Sequence, residues 1–417
     1  MTVLLLVALL AAAFQDPGAT PAAQPAAAPD EPARAPERQE PARQEPSPAV
    51  EPPKVAAPEP AAAPALAWDG AAPKSPEELE PLLARFAAAW PADLRVQAVG
   101  VARDGAKVWR ASVTRAAQEE EGRLPALVTL PATSGAGDGA ALARSLAACA
   151  ALCERLEREP ELQARFARGS VQFLFAAEPA RTFRGAATAL DYPVGWTNGP
   201  DRPPHPLFEP ETRAIAEFLL AHPAIGVLAS ETGAATPIPF VLGREAERAA
   251  PGGSLERFGR EYLGAGLATW SAVGEGGAVE GALAAERLVR LFDALPRLEV
   301  GAPSLERARP ALWILECELV NRGAAGTLEG PAAQRERSSA WLDVVGAELA
   351  AVAIARGGKD AVFEPVGARG PHVELGHLAG GETVRLRLVL RGTEGAEAKL
   401  SVRSLRAGSA DVAATLR

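Results

Sequence analysis

Between residues 126 and 295, short apolar runs alternate with longer segments in which apolar residues recur every three or four positions. Short apolar runs indicate buried strands, and the longer spacing indicates amphipathic helices. The predicted strands are 126–130, 171–176, 225–229 and 267–273, and the predicted helices are 139–157, 209–221, 254–263 and 278–295. Alternation of this kind is typical of a sheet that carries helices on its faces.

A helix and a hairpin precede this alternation. Ser75, Pro76 and Glu78 have the spacing of an N-cap, a first helical position and a capping-box glutamate, so a helix is predicted up to Trp90. Strands are predicted at 94–101 and 107–114, with Arg103-Asp104-Gly105 as the turn between them. The whole pattern predicts an α/β/α sandwich with a mixed sheet over residues 75–295.

After Pro296 the pattern changes to short runs rich in Val and Leu, separated by turn residues such as Gly357-Gly358 and Gly380-Gly381. Strands are predicted at 312–319, 340–345, 350–354, 372–375, 383–390 and 398–404, without helices between them. Short strands with regular turn signals predict a small all-β sandwich domain over residues 300–417.

The N-terminus has the features of an export signal. Residues 3–13 are an apolar run too short to span a bilayer comfortably, and Ala11 and Ala13 supply a small-x-small cleavage site. Residues 1–14 are therefore predicted to be a signal peptide or an N-terminal anchor, which places the protein in the periplasm, the cell envelope or the extracellular space. No Lys or Arg precedes the run, so an uncleaved membrane tether and a misplaced start site stay open as alternatives.

Residues 15–65 are rich in Ala, Pro, Glu and Gln and contain almost no aromatic residues. Such a segment buries too little surface to offset its ordering entropy, so it is predicted to be a disordered, semi-rigid linker. A tether to the export site and a passive tail both fit this composition.

The charge balance and the cysteines exclude several classes. The formal net charge of −9, without a basic stripe, argues against a nucleic-acid partner. Cys149, Cys153 and Cys317 do not form a disulfide framework, and we expect them to be buried thiols that pack as small apolar residues.

Five strings within the α/β region stand in the order of one family's motifs. They are Val99–Gly105 (VGVARDG), Pro125–Leu130 before Gly139, Asp191–Trp196 (DYPVGW), Glu209–Ala214 (EPETRA) and Ile225–Gly233 (IGVLASETG). In this order they resemble the zinc carboxypeptidases of the carboxypeptidase A-like fold. The C-terminal part, with Val320-Asn321-Arg322-Gly323, resembles the β-domain appended to some bacterial members. The resemblance implies a fold of carboxypeptidase type and, for the family, zinc-dependent removal of C-terminal residues.

The catalytic residues that the resemblance implies are missing from their places. The family's H-x-x-E pair, its third histidine and its general base fall on Thr133, Ala136, Ser230 and Ala272. Ala189 and Leu190 stand where an Asn-Arg pair would hold a substrate carboxylate, and no histidine occurs before His205 to restore the ligands in another register. We therefore predict no catalytic residue, no bound metal and no cofactor, although zinc is the family's metal.

A former cleft is still predicted. Its candidate lining residues are Arg184, Asp191, Tyr192, Trp196, Glu231 and Glu275. For Tyr192 and Trp196, core packing is an equally good interpretation. Asp138 with Glu231 has the chemistry of a weak hard-cation site, but solvated loop charges explain these residues better. His205, His222, His372 and His377 have no metal-ligand spacing and are expected to be surface or helix-capping residues.

Three functions follow as hypotheses. The first is an inactive carboxypeptidase-like protein, exported, that binds a peptide, a cell-wall fragment or a protein partner in the former cleft. The second is an active metallocarboxypeptidase with unconventional zinc ligands. The third is a structural envelope module in which the β-domain binds the partner.

Overall fold

The computed structural model describes residues 66, 68–117, 123–130, 139–175, 179, 192–194, 196–197, 204–231, 254–273, 280–330, 332–335, 339–358, 360–369 and 372–417. Residues Ala61–Arg417 form one compact unit. The predicted signal segment and linker lie outside the described residues. Within the described part of the chain, no helix has both the length and the apolar character needed to cross a bilayer.

The first part of the chain alternates strands and helices, as predicted. Its strands are β1 (Leu94–Val101), β2 (Lys107–Val113), β3 (Ala126–Leu130), β4 (Ser170–Phe175), β5 (Ile225–Glu231) and β6 (Gly266–Trp270). Its helices are α1 (Pro76–Ala89), α2 (Gly139–Arg158), α3 (Pro160–Phe166), α4 (Pro210–Ala221), α5 (Leu255–Phe258, continued by a π-turn over Gly259–Leu263) and α6 (Gly281–Asp293).

These six strands form one mixed sheet in the order β1-β2-β4-β3-β5-β6. The pairs β1–β2 and β2–β4 are antiparallel, whereas β4–β3, β3–β5 and β5–β6 are parallel. The predicted mixed sheet is therefore confirmed. Because β3 to β6 run in the same direction, their carboxyl ends meet at one edge of the sheet, called the carboxyl edge below.

Helices cover both faces of this sheet. On one face α1, α2 and α6 bury a core that includes Phe86, Leu146 and Leu288, together with Phe173 of β4. On the other face α4 and α5 bury a second core that includes Phe218 and Phe258. The α/β/α sandwich expected from the alternation is thus observed, with successive residues of a central strand pointing to opposite cores.

The second part of the chain consists almost entirely of strands. They are β7 (Leu298–Val300), β8 (Ser304–Arg309), β9 (Leu312–Asn321), β10 (Ala340–Val345), β11 (Glu348–Arg356), β12 (Glu364–Val366), β13 (Ala368–Arg369), β14 (His372–Gly376), β15 (Thr383–Arg391), β16 (Glu397–Ser404) and β17 (Gly408–Thr415).

Two antiparallel sheets, β13-β14-β10-β16-β17 and β12-β11-β15-β9-β7, enclose one apolar core in this second part, and β8 pairs with β9 outside the second path. Trp313, Leu315, Cys317 and Leu319 of β9 point inward at every second position, which is the period of a half-buried strand. The all-β part expected after Pro296 is therefore observed.

Three local predictions need correction. A helix does occur after Pro296, the single turn α7 (Ala332–Arg335). Strands β7, β8, β12, β13 and β17 were not predicted, because they are very short or rich in charged and small residues. Ser75 stands at the N-cap of α1, but its hydroxyl makes no capping bond; Glu78 Oε2 instead accepts a hydrogen bond of 2.8 Å from the Lys74 backbone N–H.

A buried asparagine ties the two parts together where β9 ends. The Asn321 side-chain oxygen accepts hydrogen bonds from the N–H groups of Arg297 and Gly323, at 3.0 and 3.1 Å. Its amide nitrogen donates to the carbonyls of Ala325 and Ala379, at 2.8 and 3.0 Å. The fully buried Asn321 therefore supplies partners to three loops that would otherwise bury unpaired backbone groups.

An arginine makes a second link between the parts. Arg406 lies in the turn between β16 and β17. Its guanidinium donates to the backbone carbonyls of Gly264 and Pro223, which lie just before β6 and β5 in the chain. Burial of this side chain lowers the pKa of Arg406 to about 10.

Candidate functional site at the carboxyl edge of the mixed sheet

In sheets with parallel strands, ligands bind outside the carboxyl ends of the strands. The segments that follow β3, β4, β5 and β6 carry most of the residues predicted for the cleft. Thr133, Ala136, Arg184, Asp191 and Glu275 lie outside the described residues. Ser230, Glu231, Ala272, Tyr192 and Trp196 are described, and they define what the structure shows of this edge.

Glu231, the last residue of β5, lies in a buried ion pair. Its Oε2 accepts a hydrogen bond of 2.9 Å from Nη2 of Arg144 on α2, and the two side chains are 0% and 9% exposed. In the sheet, Glu231 stands beside the buried Trp270 of β6. This carboxylate is thus not a solvated loop charge, because its counter-charge is a guanidinium inside the protein.

Because both side chains are buried, losing one member of the pair is expected to destabilise the protein. Taking two charges out of water costs several kcal/mol per ion, and their mutual attraction offsets that cost only while both are present. Arg144 Nε is also buried and has no hydrogen-bond partner among the described residues. Removing Glu231 alone leaves Arg144 as a buried charge without its counter-charge, and removing Arg144 takes away the 2.9 Å guanidinium partner of Glu231.

Ser230, the neighbour of Glu231, points to the opposite face. Its hydroxyl donates a hydrogen bond of 2.7 Å to Oε1 of Glu256 on α5. Period-two alternation along β5 accounts for the divergence, since Ala229 and Glu231 face α2 while Leu228 and Ser230 face α5. The end of β5 is therefore fixed to helices on both sides of the sheet.

The segment after β6 is also occupied by structural contacts. The methyl group of Ala272 lies in the core next to α2 and α6, and its carbonyl accepts a 2.9 Å hydrogen bond from the N–H of Glu280, which precedes α6. Arg287 of α6 donates to the carbonyls of Ser271 and Val273. At the position where the resemblance places a general base, this chain has a buried methyl group.

The two predicted aromatic residues differ in how deeply they are buried. Tyr192 is 3% exposed and lies in the core beneath α5, where its ring centroid is 5.5 Å from that of Phe258. Trp196 is partly buried, and its indole N–H is a buried donor with no hydrogen-bond partner in the described part of the chain. Tyr192 therefore supports α5 from within.

The described residues do not provide what a metal site requires. Among the described residues, no three His, Cys, Asp or Glu side chains come together in a way that would hold a metal ion. The four histidines bond locally: His205 to Pro206, His222 to Phe218 at the end of α4, His372 to Asp343, and His377 to Ser339. The helix-capping position expected for His222 is confirmed.

The cysteines are all buried and unpaired by disulfides, as predicted. Burial raises the pKa of the Cys153 thiol well above its usual range, and the adjacent Cys149 adds to the effect. Burial likewise raises the pKa of the Cys317 thiol to about 12. Protonated thiols in apolar cores are poor nucleophiles and poor metal ligands.

Arg144 and Glu256, the partners of Glu231 and Ser230, were not predicted as site residues from the sequence. Arg144 sits in the middle of α2 among core residues, and an arginine on the buried face of a helix was the signal that it pairs with a buried acid. Glu256 follows the N-cap Ser254, where an acidic residue is usual for helix reasons alone. The sequence gives no sign that it receives the Ser230 hydroxyl.

No protein-family model and no curated protein sequence matches this chain. Among solved structures, bovine thrombin-activatable fibrinolysis inhibitor in complex with a tick carboxypeptidase inhibitor is similar at 11% identity and a TM-score of 0.39, covering 52% of this chain and 94% of that chain. Carboxypeptidase A from Helicoverpa armigera has 12% identity and a TM-score of 0.38, covering 52% and 69%.

A metallo-carboxypeptidase from Burkholderia cenocepacia has 11% identity and a TM-score of 0.34, covering 49% of this chain and 68% of that chain. Metallocarboxypeptidases are thus among the solved structures that the chain resembles. TM-scores below 0.5 at these identities assign neither a family nor an activity to it.

Proposed function

We propose that this chain is a non-catalytic, carboxypeptidase-like exported protein that binds a peptide or another cell-envelope ligand at the carboxyl edge of its mixed sheet. The end of β5 is the observation that carries this proposal. There the Ser230 hydroxyl is bonded to Glu256, and the Glu231 carboxylate is bonded to Arg144. Neither group is left as a zinc ligand.

The sequence supports the same conclusion independently. The positions that correspond to the zinc pair, the third ligand and the base hold Thr133, Ala136, Ser230 and Ala272. A single substitution leaves a damaged enzyme, but replacement of all these groups removes the water activation and the charge stabilisation that metal-dependent hydrolysis needs. The core patterns and helix starts around these positions persist, which fits a fold retained for binding.

Export is the second element of the proposal. The apolar run at residues 3–13, the small-x-small site and the Pro/Ala-rich segment at 15–65 support it. A peptide, a cell-wall fragment or an envelope protein is the ligand class that such a location offers. The acidic net charge of −9 argues against nucleic acid.

The first test measures metal and hydrolysis on the full chain. The protein is incubated with zinc, dialysed and analysed for elemental zinc, and release of C-terminal residues from a peptide mixture is measured with and without chelator. We expect zinc far below one ion per chain and release equal to the buffer blank. One tightly held zinc per chain with chelator-sensitive release would instead establish the active metallocarboxypeptidase.

The second test asks where binding occurs. Co-sedimentation with purified peptidoglycan and capture on immobilised peptides are compared for the wild type, Ser230→Trp and Ser401→Trp. Ser401 is a matched control, because its hydroxyl also bonds a carboxylate, Asp411, at 2.6 Å, but on β16 of the sandwich. We expect only Ser230→Trp to lose binding. Loss confined to Ser401→Trp would move the site to the β-sandwich.

A further inference from the structure

The buried ion pair joins helix α2 to the end of β5 at the carboxyl edge. Arg144 belongs to α2, the helix that follows the segment after β3, and Glu231 ends β5, the strand next to β3 in the sheet. The resemblance to zinc carboxypeptidases implies a metal that would link the segment before α2 to the end of β5, through the positions of Thr133, Ala136 and Ser230. In this chain a guanidinium–carboxylate contact links α2 itself to the end of β5.

The described residues of this edge do not fit a zinc ion. A catalytic zinc takes about three nitrogen, sulfur or carboxylate ligands and leaves one position open. Here one carboxylate ends β5 and its 2.9 Å partner is a cation. A divalent ion brought to Glu231 would have to displace that cation or share the carboxylate with it, and like charges repel strongly where water is excluded.

We infer that the Arg144 guanidinium acts as a resident cation at the carboxyl edge: it links α2 to the end of β5, and it excludes divalent cations from Glu231. Arginine suits this role because its planar guanidinium presents several N–H donors to a carboxylate in a fixed geometry, so the link needs no metal supply. The inference rests on the proposed function only for its comparison with zinc; the ion pair itself does not depend on that comparison.

The test uses chemical rescue on the full chain. Arg144→Ala leaves the Glu231 carboxylate buried beside a space of guanidinium size. We expect this variant to melt well below the wild type, and we expect methylguanidinium at non-denaturing, low millimolar concentration to raise its melting temperature but not that of the wild type. Arg144→Ala with Glu231→Gln should lose the rescue. Arg387→Ala, which opens an exposed pair with Glu316, is the matched control and should show neither effect.

A second set of variants decides the question if Arg144→Ala does not fold. Glu231→Gln keeps the shape and removes the charge, so it should melt below the wild type, whereas the double replacement Arg144→Met with Glu231→Leu should recover most of the loss. A Glu231→Gln variant as stable as the wild type would overturn the inference. So would zinc that raises the melting temperature of the wild type but not of Glu231→Gln.

These outcomes are distinguishable from those of the proposed function. Hydrolysis supported by zinc held elsewhere would end the non-catalytic proposal and leave the rescue result unchanged. Failure of the rescue with normal binding and no hydrolysis would end the resident-cation inference alone.

Discussion

Two arginine–glutamate pairs in this molecule have nearly the same geometry and very different surroundings. Arg144 and Glu231 meet at 2.9 Å with side chains 9% and 0% exposed. Arg387 and Glu316 meet at 2.6 Å on the outer face of the sandwich, with side chains 45% and 38% exposed. The contribution of an arginine–glutamate pair to stability therefore depends on burial as well as on residue type, because burial raises the free energy lost when one member is removed.

The contrast extends to the two parts of the chain. The mixed sheet holds charge inside, at the ends of its parallel strands, where ligands of such sheets bind. The sandwich keeps Arg387, Arg391 and their glutamate partners on its surface, and its interior is apolar apart from polar groups near the junction. Among the described residues, the most deeply buried arginine–glutamate pair thus lies in the part with the parallel strands.

The largest effect is expected for Glu231→Leu. This change leaves the Arg144 guanidinium buried without its counter-charge, which costs about 3–5 kcal/mol of unfolding free energy. Urea unfolding followed by circular dichroism measures it. A loss below about 1 kcal/mol would remove the distinction between the buried and the exposed pair.

A smaller loss is expected at the junction between the two parts. Asn321→Asp keeps the acceptor oxygen but replaces the amide that donates to the carbonyls of Ala325 and Ala379. Leaving buried groups unpaired costs about 1–3 kcal/mol. The same urea titration checks this, with Asp360→Asn, at an exposed position, as a control that should unfold like the wild type.

The sandwich core should become sensitive to alkaline pH through its thiol. Burial raises the pKa of Cys317 from 9.0 to about 12, so the thiol stays protonated in the folded state while it ionises in the unfolded chain. Below pH 9.0 the thiol is protonated in both states and does not reduce the free energy of unfolding. As the pH rises from 9.0 toward about 12, ionisation of the thiol in the unfolded chain lowers the free energy of unfolding. From about pH 8 to about pH 10, the wild type should lose about 1.4 kcal/mol more than Cys317→Ala. Equal losses in both proteins would contradict the burial effect.

The smallest effect is expected for Glu316→Leu. An exposed pair gains little from its partner, so the variant should differ from the wild type by less than about 1 kcal/mol. Raising the salt concentration should leave this difference small, because exposed pairs are screened. A loss equal to that of Glu231→Leu would show that geometry, not burial, governs both pairs.

Periodicity predicted most of the fold because the central strands and the long helices bury whole faces. Strands β3, β4 and β5 and helices α2, α4 and α6 lie within a few residues of their predicted bounds. Strand β17 was not predicted because most of its residues are Gly, Ala, Ser or Asp, which carry little hydrophobic signal. Its place comes from pairing with β16 rather than from its own sequence.

The candidate site was harder to predict because it depends on contacts between distant residues. The sequence shows which catalytic residues are missing from 133, 136 and 230, and it marks Glu231 as a candidate. It does not show that Arg144, 87 positions earlier, supplies the counter-charge, since only the packing of α2 against β5 brings them together. The expectation that a Glu231 charge is solvated followed from treating the strand end as a loop.

The Arg406 contact has a consequence for any attempt to dissect the molecule. A chain cut near residue 300 loses the guanidinium that serves the carbonyls of Gly264 and Pro223, together with the Asn321 amide. The first part would then lose the hydrogen-bond donors of these two carbonyls, and its stability would fall for reasons unrelated to ligand binding. The two parts should accordingly melt in one cooperative transition and resist protease until both open, so function is better separated by point substitutions than by truncation.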